Sequence, residues 1–279
     1  MNELHEVEPS AGGPGGLLAG PQPGRPRPAL VPLPRQAGVE HLRPADLDLI
    51  VPAYNEERRI GPTLEAICRQ ITDSPYHVRI IVVDNGSVDA TADAVDRVTS
   101  LDVPVQVIGC KARGKGAAVR AGVAHAVAPY VGYVDADQST PPDALVTGMA
   151  ILTSGWDAVI GSRRVLGARY VEPQPVVRRI GSRVFNMAAS TLVGRISDTQ
   201  CGMKLFRTEA VRDVFAAANL SGFAFDVEVL ARATAAGLRI MELPVEWSDS
   251  AGSTLRPVRD GINAFTELYR VHRLLRSSR

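Results

Sequence analysis

The 279-residue sequence has few aromatic side chains, few cysteines and almost no net charge. Aromatic residues make up 5% of the chain and the formal charge is +1, so it offers few stacking platforms and no general positive field for nucleic acid. Three scattered cysteines without metal-site spacing predict reduced thiols in a cytoplasmic protein. No apolar run reaches about 18 residues and no secretory signal is evident, so we expect neither a membrane-spanning helix nor export.

Residues 1–45 differ in composition from the rest of the chain. Residues 1–44 contain nine prolines and seven glycines but few large apolar side chains. Such a segment cannot bury enough apolar surface to offset the loss of chain entropy, which predicts a disordered tail. Residues 46–279 are long enough for one large domain with its own core.

From Asp46 onward, short runs rich in valine and isoleucine alternate with stretches of helical spacing. Strands are predicted at 46–53, 78–84, 103–109, 130–137 and 156–162, with a helix after each of the first four. This alternation predicts an α/β fold with a mostly parallel sheet that is covered on both faces. Ligands bind beyond the carboxyl ends of such strands, so the residues that follow each strand form the candidate site.

The second half of the domain, from residue 166, has a different pattern. It predicts helices at 176–195, 224–237 and 261–279 and strands at 198–207 and 238–247. The first and last of these helices interleave basic and apolar residues, which is typical either of packing against the domain or of contact with a membrane surface.

The strand predicted at 130–137 ends in two aspartates one residue apart, Asp135 and Asp137. Side chains alternate along a strand, so both carboxylates would point to the same side and repel each other unless a cation lies beside them. Two carboxylates, substrate phosphates and water form a common site for magnesium or manganese. We therefore favour a Mg²⁺ or Mn²⁺ site over two exposed turn residues.

A glycine-rich basic loop at 109–116 nearly matches the phosphate-binding loop of NTPases. That pattern requires Ser or Thr after Lys115 to hold magnesium, and this sequence has Gly116. The difference argues against an ATPase. The loop is either a plain strand–helix connection or a basic segment whose Lys115 lies near a bound phosphate.

Arginine is dense in the middle of this nearly neutral chain. The residues are Arg163, Arg164, Arg178, Arg179 and Arg183. A solvated helix face is the ordinary explanation of such a cluster. Arginine is also well suited to phosphate recognition, which indicates that a second phosphate, besides the one expected at the acid pair, is bound here.

Together these features resemble the family-2 glycosyltransferases of the GT-A fold, and among them the dolichyl-phosphate glucosyltransferases and related polyprenyl-phosphate hexose synthases. The resemblance covers about residues 48–273 and is carried by VPAYNE, VVDNGSVDAT, RGKGAAVRAG, DADQSTPPD, VIGSRR, RRIGSRVFNM, DTQCGMKLFR and GFAFDVEVL. It implies inverting transfer of a hexose, with UDP-glucose favoured as donor, to a polyprenyl or dolichyl phosphate. Residues 46–165 would bind the nucleotide sugar and residues 166–279 the acceptor.

The resemblance also implies roles for individual residues. It puts the base and ribose of the nucleotide beside Pro52, Tyr54, Glu56 and Asp84. It puts the metal on Asp135 and Asp137, and the lipid phosphate beside Arg163, Arg178 and Ser182, with Arg256 as a further candidate. Related mannosyl enzymes have a glutamine ligand where this sequence has Ser139, which leaves a third metal ligand open.

The acceptor decides whether a general base is needed. A phosphate monoester is anionic near neutral pH and needs orientation more than deprotonation. If the acceptor were an alcohol, Asp226 or Glu228 would be the candidate base, although acids at a helix start commonly serve only the helix dipole. The candidate catalytic residues are therefore Asp135, Asp137, Arg163 and Asp226.

Four alternatives to the glucosyl assignment follow from the same motifs. The donor could be GDP-mannose, or the acceptor could be a water-soluble hydroxyl compound. A nucleotidyltransferase would need a basic glycine-rich loop after the first strand, where this chain has PAYNE, and a non-catalytic binding module would not need the acid pair. For the lipid acceptor we expect peripheral attachment at the cytoplasmic face of a membrane through basic helices near 178–195 and 262–276.

Overall fold

The computed structural model describes residues 44–98, 103–137, 143–170, 176–222, 224–247 and 266–274, so the predicted tail lies almost wholly outside the described residues. The strands are β1 (Leu47–Ala53), β2 (Val78–Asp84), β3 (Val105–Gly109), β4 (Tyr130–Tyr133), β5 (Ala158–Ser162), β6 (Arg169–Tyr170), β7 (Lys204–Arg207), β8 (Ile240–Pro244) and β9 (Glu246–Trp247). The helices are α1 (Ile60–Thr72), α2 (Thr91–Asp96), α3 (Lys115–His125), α4 (Asp143–Thr153), α5 (Val176–Val193), α6 (Thr208–Ala217) and α7 (Phe225–Ala235), and residues 266–274 are also helical.

Seven strands form one sheet in the order β3-β2-β1-β4-β7-β5-β8, and β6 pairs with β9 separately. β7 is antiparallel to its neighbours β4 and β5, and the other neighbouring strands of the sheet are parallel. Tyr133, the last residue of β4, is paired with Lys204, the first residue of β7. The start of β7 therefore lies at the edge where the parallel strands end. The predicted α/β fold with a mostly parallel sheet is confirmed.

Both faces of the sheet are covered by helices because the central strands are apolar on both sides. Along β1, Leu47, Leu49 and Val51 belong to the core cluster that includes α1, α2 and α4, whereas Ile50 belongs to the cluster that includes α3 and α5 to α7. This alternation follows the period of two in a strand. The fully buried Asp48 interrupts the apolar pattern and is paired with Arg79 at 2.7 Å.

β4 is shorter than predicted. It ends at Tyr133 rather than at residue 137, after which the amide of Val134 donates a last hydrogen bond to the carbonyl of Ile50. Asp135 and Asp137 consequently lie in the loop after the strand, so strand alternation does not set their directions. The prediction that they extend the strand was wrong at this boundary.

The segment predicted as a strand at 198–207 is mostly a loop, and only its last four residues form β7. The reason is local competition for hydrogen bonds. The carboxylate of the buried Asp198 accepts hydrogen bonds from the backbone amides of Gln200 and Arg163, which draws this segment into a turn. Helix α6 directly after β7 is absent from our sequence assignment, although Thr208, Val211 and Phe215 are buried at helical spacing.

The C-terminal helical residues 266–274 pack against the domain. Leu268 and Val271 are buried in the same core cluster as α3 and α7, while Tyr269 is exposed. The carboxylate of Glu267 accepts a hydrogen bond from the backbone amide of Ala224 at 3.0 Å, just before α7. Within the described ranges, no helix combines the length and apolar character needed to cross a bilayer.

Candidate active site

The loops that follow β1 and β2 are held together by reciprocal hydrogen bonds. The amide of Asn55 donates to Ser87 Oγ and its side-chain oxygen accepts from the amide of Val88, both at 3.0 Å. Asn55 has a φ of 57°, a left-handed conformation that asparagine tolerates better than most residues. Asp84 accepts a hydrogen bond from the amide of Ser87, so the predicted nucleotide residues of both loops lie at one edge.

The remaining predicted nucleotide residues lie in and after β1. Pro52 is half-buried near the end of the strand, and Tyr54 is exposed directly after it. Glu56 forms a bidentate ion pair with Arg59 at 2.6 and 2.8 Å. Burial raises the pKa of Glu56, Arg59 opposes this, and the nearby charge of Asp137 adds to the rise. The acidic loop after β4 is thus close to the loop after β1.

Asp135 is paired with a lysine. Its Oδ1 lies 2.7 Å from Nζ of Lys115, at the start of α3, and both side chains are about 30% exposed. Burial raises the pKa of Asp135, Lys115 opposes this, and Asp137 adds to the rise, with a net shift upward. Lys115 is therefore one cation that stabilises the acid pair.

Two neighbours shape the acidic loop. The hydroxyl of Thr63 in α1 donates a hydrogen bond of 2.7 Å to the carbonyl of Ala136, the residue between the two aspartates. On the other side, Gly202 leaves room for the carboxylate, because a Cβ at this position would lie 2.5 Å from Oδ2 of Asp135. The loop is therefore held between α1 and the segment that precedes β7.

A buried ion pair lies beneath this surface. Nζ of Lys204 is 2.8 Å from Oδ1 of Asp226, and the hydroxyl of Tyr133 donates to the same oxygen at 2.6 Å. Burial raises the pKa of Asp226, but Lys115, Lys204 and these hydrogen bonds outweigh it and hold the pKa below its usual value. Asp226 is consequently a buried, ionised counter-ion.

Lys115 joins the surface pair to the buried pair. Its Nζ lies 3.6 Å from Oδ2 of Asp226 as well as 2.7 Å from Asp135. Burial lowers the pKa of Lys115, but the charges of Asp135 and Asp226 outweigh it and raise the pKa above its usual value. Positive and negative side chains thus alternate from Lys204 in the core to Asp135 at the surface.

Two amides of the glycine-rich loop before α3 donate hydrogen bonds to protein groups. The side chain of Asn85 donates to the carbonyl of Ala112 at 2.6 Å and accepts from the amide of Gly114 at 2.7 Å. The amide of Gly116 donates to the carbonyl of Ser221 at 3.0 Å. Gly114 has a φ of 108°, which requires glycine. These contacts agree with the sequence argument against a phosphate-binding loop.

Arg163, in the loop after β5, is bound by a buried carboxylate. Its Nε and Nη2 lie 2.7 and 2.9 Å from the two oxygens of Asp198, and its guanidinium lies over the ring of Trp247 at 5.4 Å. Burial raises the pKa of Asp198, but the bond and charge of Arg163 outweigh this and lower it. Its contact with an acceptor phosphate stays a prediction.

Other predicted acceptor residues are only partly located. Arg178 and Ser182 belong to α5, but their side chains lie outside the described part of the structure. Arg256 also lies outside the described residues, and so does Ser139, which stands where related enzymes have a glutamine metal ligand.

Glu228, the other acid considered as a base, has a structural role. Its carboxylate accepts hydrogen bonds from the backbone amides of Asn219 and Leu220 and is paired with Arg232 at 2.9 Å. Since Asp226 is also buried and ion-paired, both candidate bases already have cationic partners. Neither carboxylate is placed as an exposed general base.

The two carboxylates of the loop after β4 suit a divalent ion that is also bound by a substrate. Among the described residues, no group of three or more His, Cys, Asp or Glu side chains could hold a metal alone. Asp135 and Asp137 supply two carboxylates, and magnesium commonly takes one or two from the protein with phosphate and water as its other ligands. The residues present therefore fit such an ion.

Residues 48–215 match the family model described as Glycosyl transferase family 2. The chain belongs to this family. The glycosyltransferase is 34% identical over 219 residues to a dolichyl-phosphate beta-glucosyltransferase of Trichomonas vaginalis, covering 74% of this chain and 65% of the relative. It is 32% identical over 250 residues to that of Dictyostelium discoideum, covering 84% and 76%. The chain thus spans about two thirds to three quarters of these relatives' length.

A solved structure has the same fold. It is glucosyl-3-phosphoglycerate synthase from Mycobacterium tuberculosis in complex with Mn²⁺ and UDP-glucose, with a TM-score of 0.61 and 18% identity over 81% of this chain and 79% of that one. The predicted family, the GT-A fold and the assignment as a glycosyltransferase are confirmed.

Sequence reasoning missed the buried members of the site, Tyr133 and Lys204. Site residues are expected after the carboxyl ends of parallel strands, whereas Lys204 begins an antiparallel strand. A usable signal was present, since Lys204 stands between Met203 and the apolar pair Leu205 and Phe206. A lysine within an apolar run indicates a buried ion pair, because an unpaired buried charge is very costly.

Proposed function

We propose that this glycosyltransferase transfers glucose from UDP-glucose to the phosphate of a polyprenyl phosphate such as dolichyl phosphate, and that it requires Mg²⁺ or Mn²⁺. The observation that carries the proposal is the similarity to two dolichyl-phosphate beta-glucosyltransferases over 74% and 84% of the chain. The acid pair and Lys115, beside the joined loops after β1 and β2, support it chemically.

On this proposal the nucleotide lies across the loops after β1 and β2. Pro52, Tyr54, Glu56 and Asp84 would surround its base and ribose. Tyr54 is 51% exposed at this edge and has a ring face for stacking. The ammonium of Lys115 would then bind the diphosphate, whose charge it complements at short range.

Asp135 and Asp137 would hold the divalent ion against the diphosphate. When bound, the ion would neutralise negative charge on the leaving nucleotide. The chain itself keeps the acidic loop in place through the hydrogen bond from Thr63 to Ala136. A side chain at position 202 would disturb this arrangement, because a Cβ there would lie 2.5 Å from Oδ2 of Asp135.

The burial and ion pairing of Asp226 and Glu228 favour a phosphate acceptor over an alcohol. An alcohol would need a base, and Asp226 and Glu228 are both buried and paired with cations. A phosphate monoester arrives with a nucleophilic anionic oxygen and needs only orientation. Direct attack on the anomeric carbon of an α-linked donor would yield a β-linked glucosyl phosphate and UDP.

We assign the acceptor phosphate to Arg163, Arg178, Ser182 and Arg256. Arg163 lies at the carboxyl edge of the sheet, and the bidentate pair with Asp198 fixes the plane of its guanidinium. A fixed guanidinium costs less entropy to engage than a free one, which favours accurate positioning of a second anion.

A radiolabel transfer assay tests the proposal. Purified protein is incubated with labelled UDP-glucose or GDP-mannose, polyprenyl phosphate and Mg²⁺ or Mn²⁺, and the organic phase is counted. We expect label transfer from UDP-glucose that is lost in Asp137→Asn and retained in Asp143→Asn, which removes an exposed carboxylate at the start of α4.

The other outcomes separate the alternatives. Transfer from GDP-mannose alone would replace glucose with mannose. Transfer only to a water-soluble alcohol would exclude the lipid acceptor, and activity that survives EDTA would exclude the metal. Release of free sugar without transfer to any acceptor would overturn the proposed reaction.

We also propose peripheral contact with the cytoplasmic face of a membrane, because the proposed acceptor is a membrane lipid. The basic residues of α5 and of residues 262–276 support this surface together with the exposed Met187 and Tyr269, whereas the apolar residues Phe185, Val193, Leu268 and Val271 of these helices are buried in the core. Co-flotation with anionic liposomes at low salt, reversed by high salt, is the expected result. Absence of flotation at low salt would contradict it.

A further inference from the structure

One carboxylate of the candidate site has two assigned cationic partners, Lys115 and the proposed divalent ion. The ammonium of Lys115 lies 2.7 Å from Oδ1 of Asp135, the aspartate to which our proposed function assigns the divalent ion. Two positive charges at such close range repel each other, and the repulsion is stronger at a partly buried site than in water. A metal ion that binds Asp135 must therefore weaken the contact with Lys115.

Lys115 has a second carboxylate within reach. Oδ2 of Asp226 lies 3.6 Å from its Nζ, whereas Lys204 and Tyr133 both bind the other oxygen, Oδ1. Lys204 and Tyr133 thus fix Asp226 from the core side, and its other oxygen faces Lys115. A short movement of the ammonium would take it from Asp135 toward Asp226 without leaving it unpaired.

We propose that Lys115 couples metal binding to nucleotide binding by competing with the divalent ion for Asp135, and that the buried pair of Asp226 and Lys204 positions Lys115 for this exchange. This inference rests on the proposed metal and diphosphate sites. A nucleotide diphosphate gives the displaced ammonium a new anionic partner and supplies further ligands to the metal. Asp226 is therefore a positioning residue rather than a base.

The coupling must act in both directions. If UDP increases the affinity for Mn²⁺ by a given factor, Mn²⁺ increases the affinity for UDP by the same factor, and such couplings typically amount to about 5- to 150-fold. Removing the lysine charge removes the competitor. Mn²⁺ should then bind more tightly without UDP, and the enhancement by UDP should shrink.

The test measures Mn²⁺ binding by electron paramagnetic resonance, with and without UDP, in wild type, Lys115→Met and Lys111→Met. Lys111 is exposed in the same basic loop, so its variant controls for the loss of one positive charge nearby. We expect Lys115→Met alone to bind Mn²⁺ about fivefold or more tightly without UDP and to lose most of the coupling. Lys115→Arg keeps the charge and should retain weak metal binding without nucleotide.

Asp226→Asn tests the positioning role through the same readout. When the charge of Asp226 is removed, the contact of Lys115 with Asp135 is no longer opposed by a second ion pair. Lys115 should then bind Asp135 more firmly, so Mn²⁺ should bind more weakly without UDP than in wild type. A circular dichroism melt first establishes that each variant is folded. If Asp226→Asn does not fold, the Lys115 variants alone decide the proposal.

The results distinguish this inference from the proposed function. Unchanged Mn²⁺ affinity in Lys115→Met, in a protein whose wild type binds Mn²⁺ and transfers glucose, overturns the competition and leaves the function standing. The expected shift in a protein that transfers no glucose supports the competition and overturns the reaction. Absence of Mn²⁺ binding by wild type with UDP overturns both the metal assignment and the competition.

Discussion

Tyr133 and Lys204 bind the same oxygen atom, Oδ1 of Asp226, at 2.6 and 2.8 Å. The two residues are paired across the antiparallel strands β4 and β7, and both are completely buried. The ion pair therefore depends on a strand pairing between distant parts of the chain. It also lies directly beneath Lys115 and the acid pair, so its integrity and that of the site are linked.

Removing the lysine of this pair should destabilise the protein strongly. In Lys204→Met the carboxylate of Asp226 loses its buried counter-ion at 2.8 Å, and we expect a loss of about 3–5 kcal/mol in the free energy of unfolding. Urea denaturation measures it. The exposed Lys111→Met should change stability by about 0.5 kcal/mol or less. A loss below about 1 kcal/mol in Lys204→Met would contradict a fully buried ion pair.

Gly202→Ala should impair binding and activity more than stability. The new Cβ would lie 2.5 Å from Oδ2 of Asp135, and this carboxylate is the movable end of a side chain, so it can shift at little cost to the fold. A displaced ligand of about 1 Å commonly costs on the order of 100-fold in rate. Transfer assays and thermal melts would compare it with Gly109→Ala, where a Cβ meets nothing within 4 Å. Equal activity of the two variants would contradict the predicted clash between the new Cβ and the carboxylate of Asp135.

Gly116→Ser restores the hydroxyl of the NTPase pattern but should destabilise the protein without producing ATP hydrolysis. A Cβ there would lie 2.6 Å from the ring of Phe225 and 2.7 Å from the carbonyl of Leu220, and a backbone group cannot move aside easily. Overpacking of this kind costs about 1–3 kcal/mol. Chemical denaturation and a phosphate-release assay check both parts. A stable variant that hydrolyses ATP would contradict the assignment of this loop.

The ion pair of Asp198 and Arg163 should stabilise the protein at neutral pH and lose this contribution in acid. The folded pKa of Asp198 lies below the ordinary value of 3.8, so its contribution is present above that value and is lost as pH falls from about 5 through the folded pKa. Wild type should therefore lose stability over this range more steeply than Asp198→Asn or Arg163→Met. Urea midpoints at several pH values measure the slopes. Equal pH dependence of stability in wild type and both variants would contradict the lowered pKa of Asp198.

Much of the framework was predictable because it depends on local pattern. β2 has the predicted bounds, and β1 differs by one residue, since continuous apolar runs between turn residues are a strong strand signal. Parallel strands bring their carboxyl ends to one edge, so the location of Glu56, Asp84 and Asp135 at the same edge of the sheet followed from the order of elements. The family motifs then assigned the enzyme class.

The partners of the charged residues were not predictable in the same way. Nothing local indicates that Lys204 meets Asp226, 22 positions later, or that Asp198 binds Arg163, 35 positions earlier. These contacts arise because β7 inserts antiparallel between β4 and β5.

For this chain, hydrophobic periodicity and short motifs were sufficient for the elements, the fold class and the family, because these depend on neighbouring residues. Which cation neutralises Asp135, and whether Asp226 is a base or a counter-ion, depends on strand order and burial. Coulombic energies vary with distance and dielectric environment, and both are properties of the folded chain.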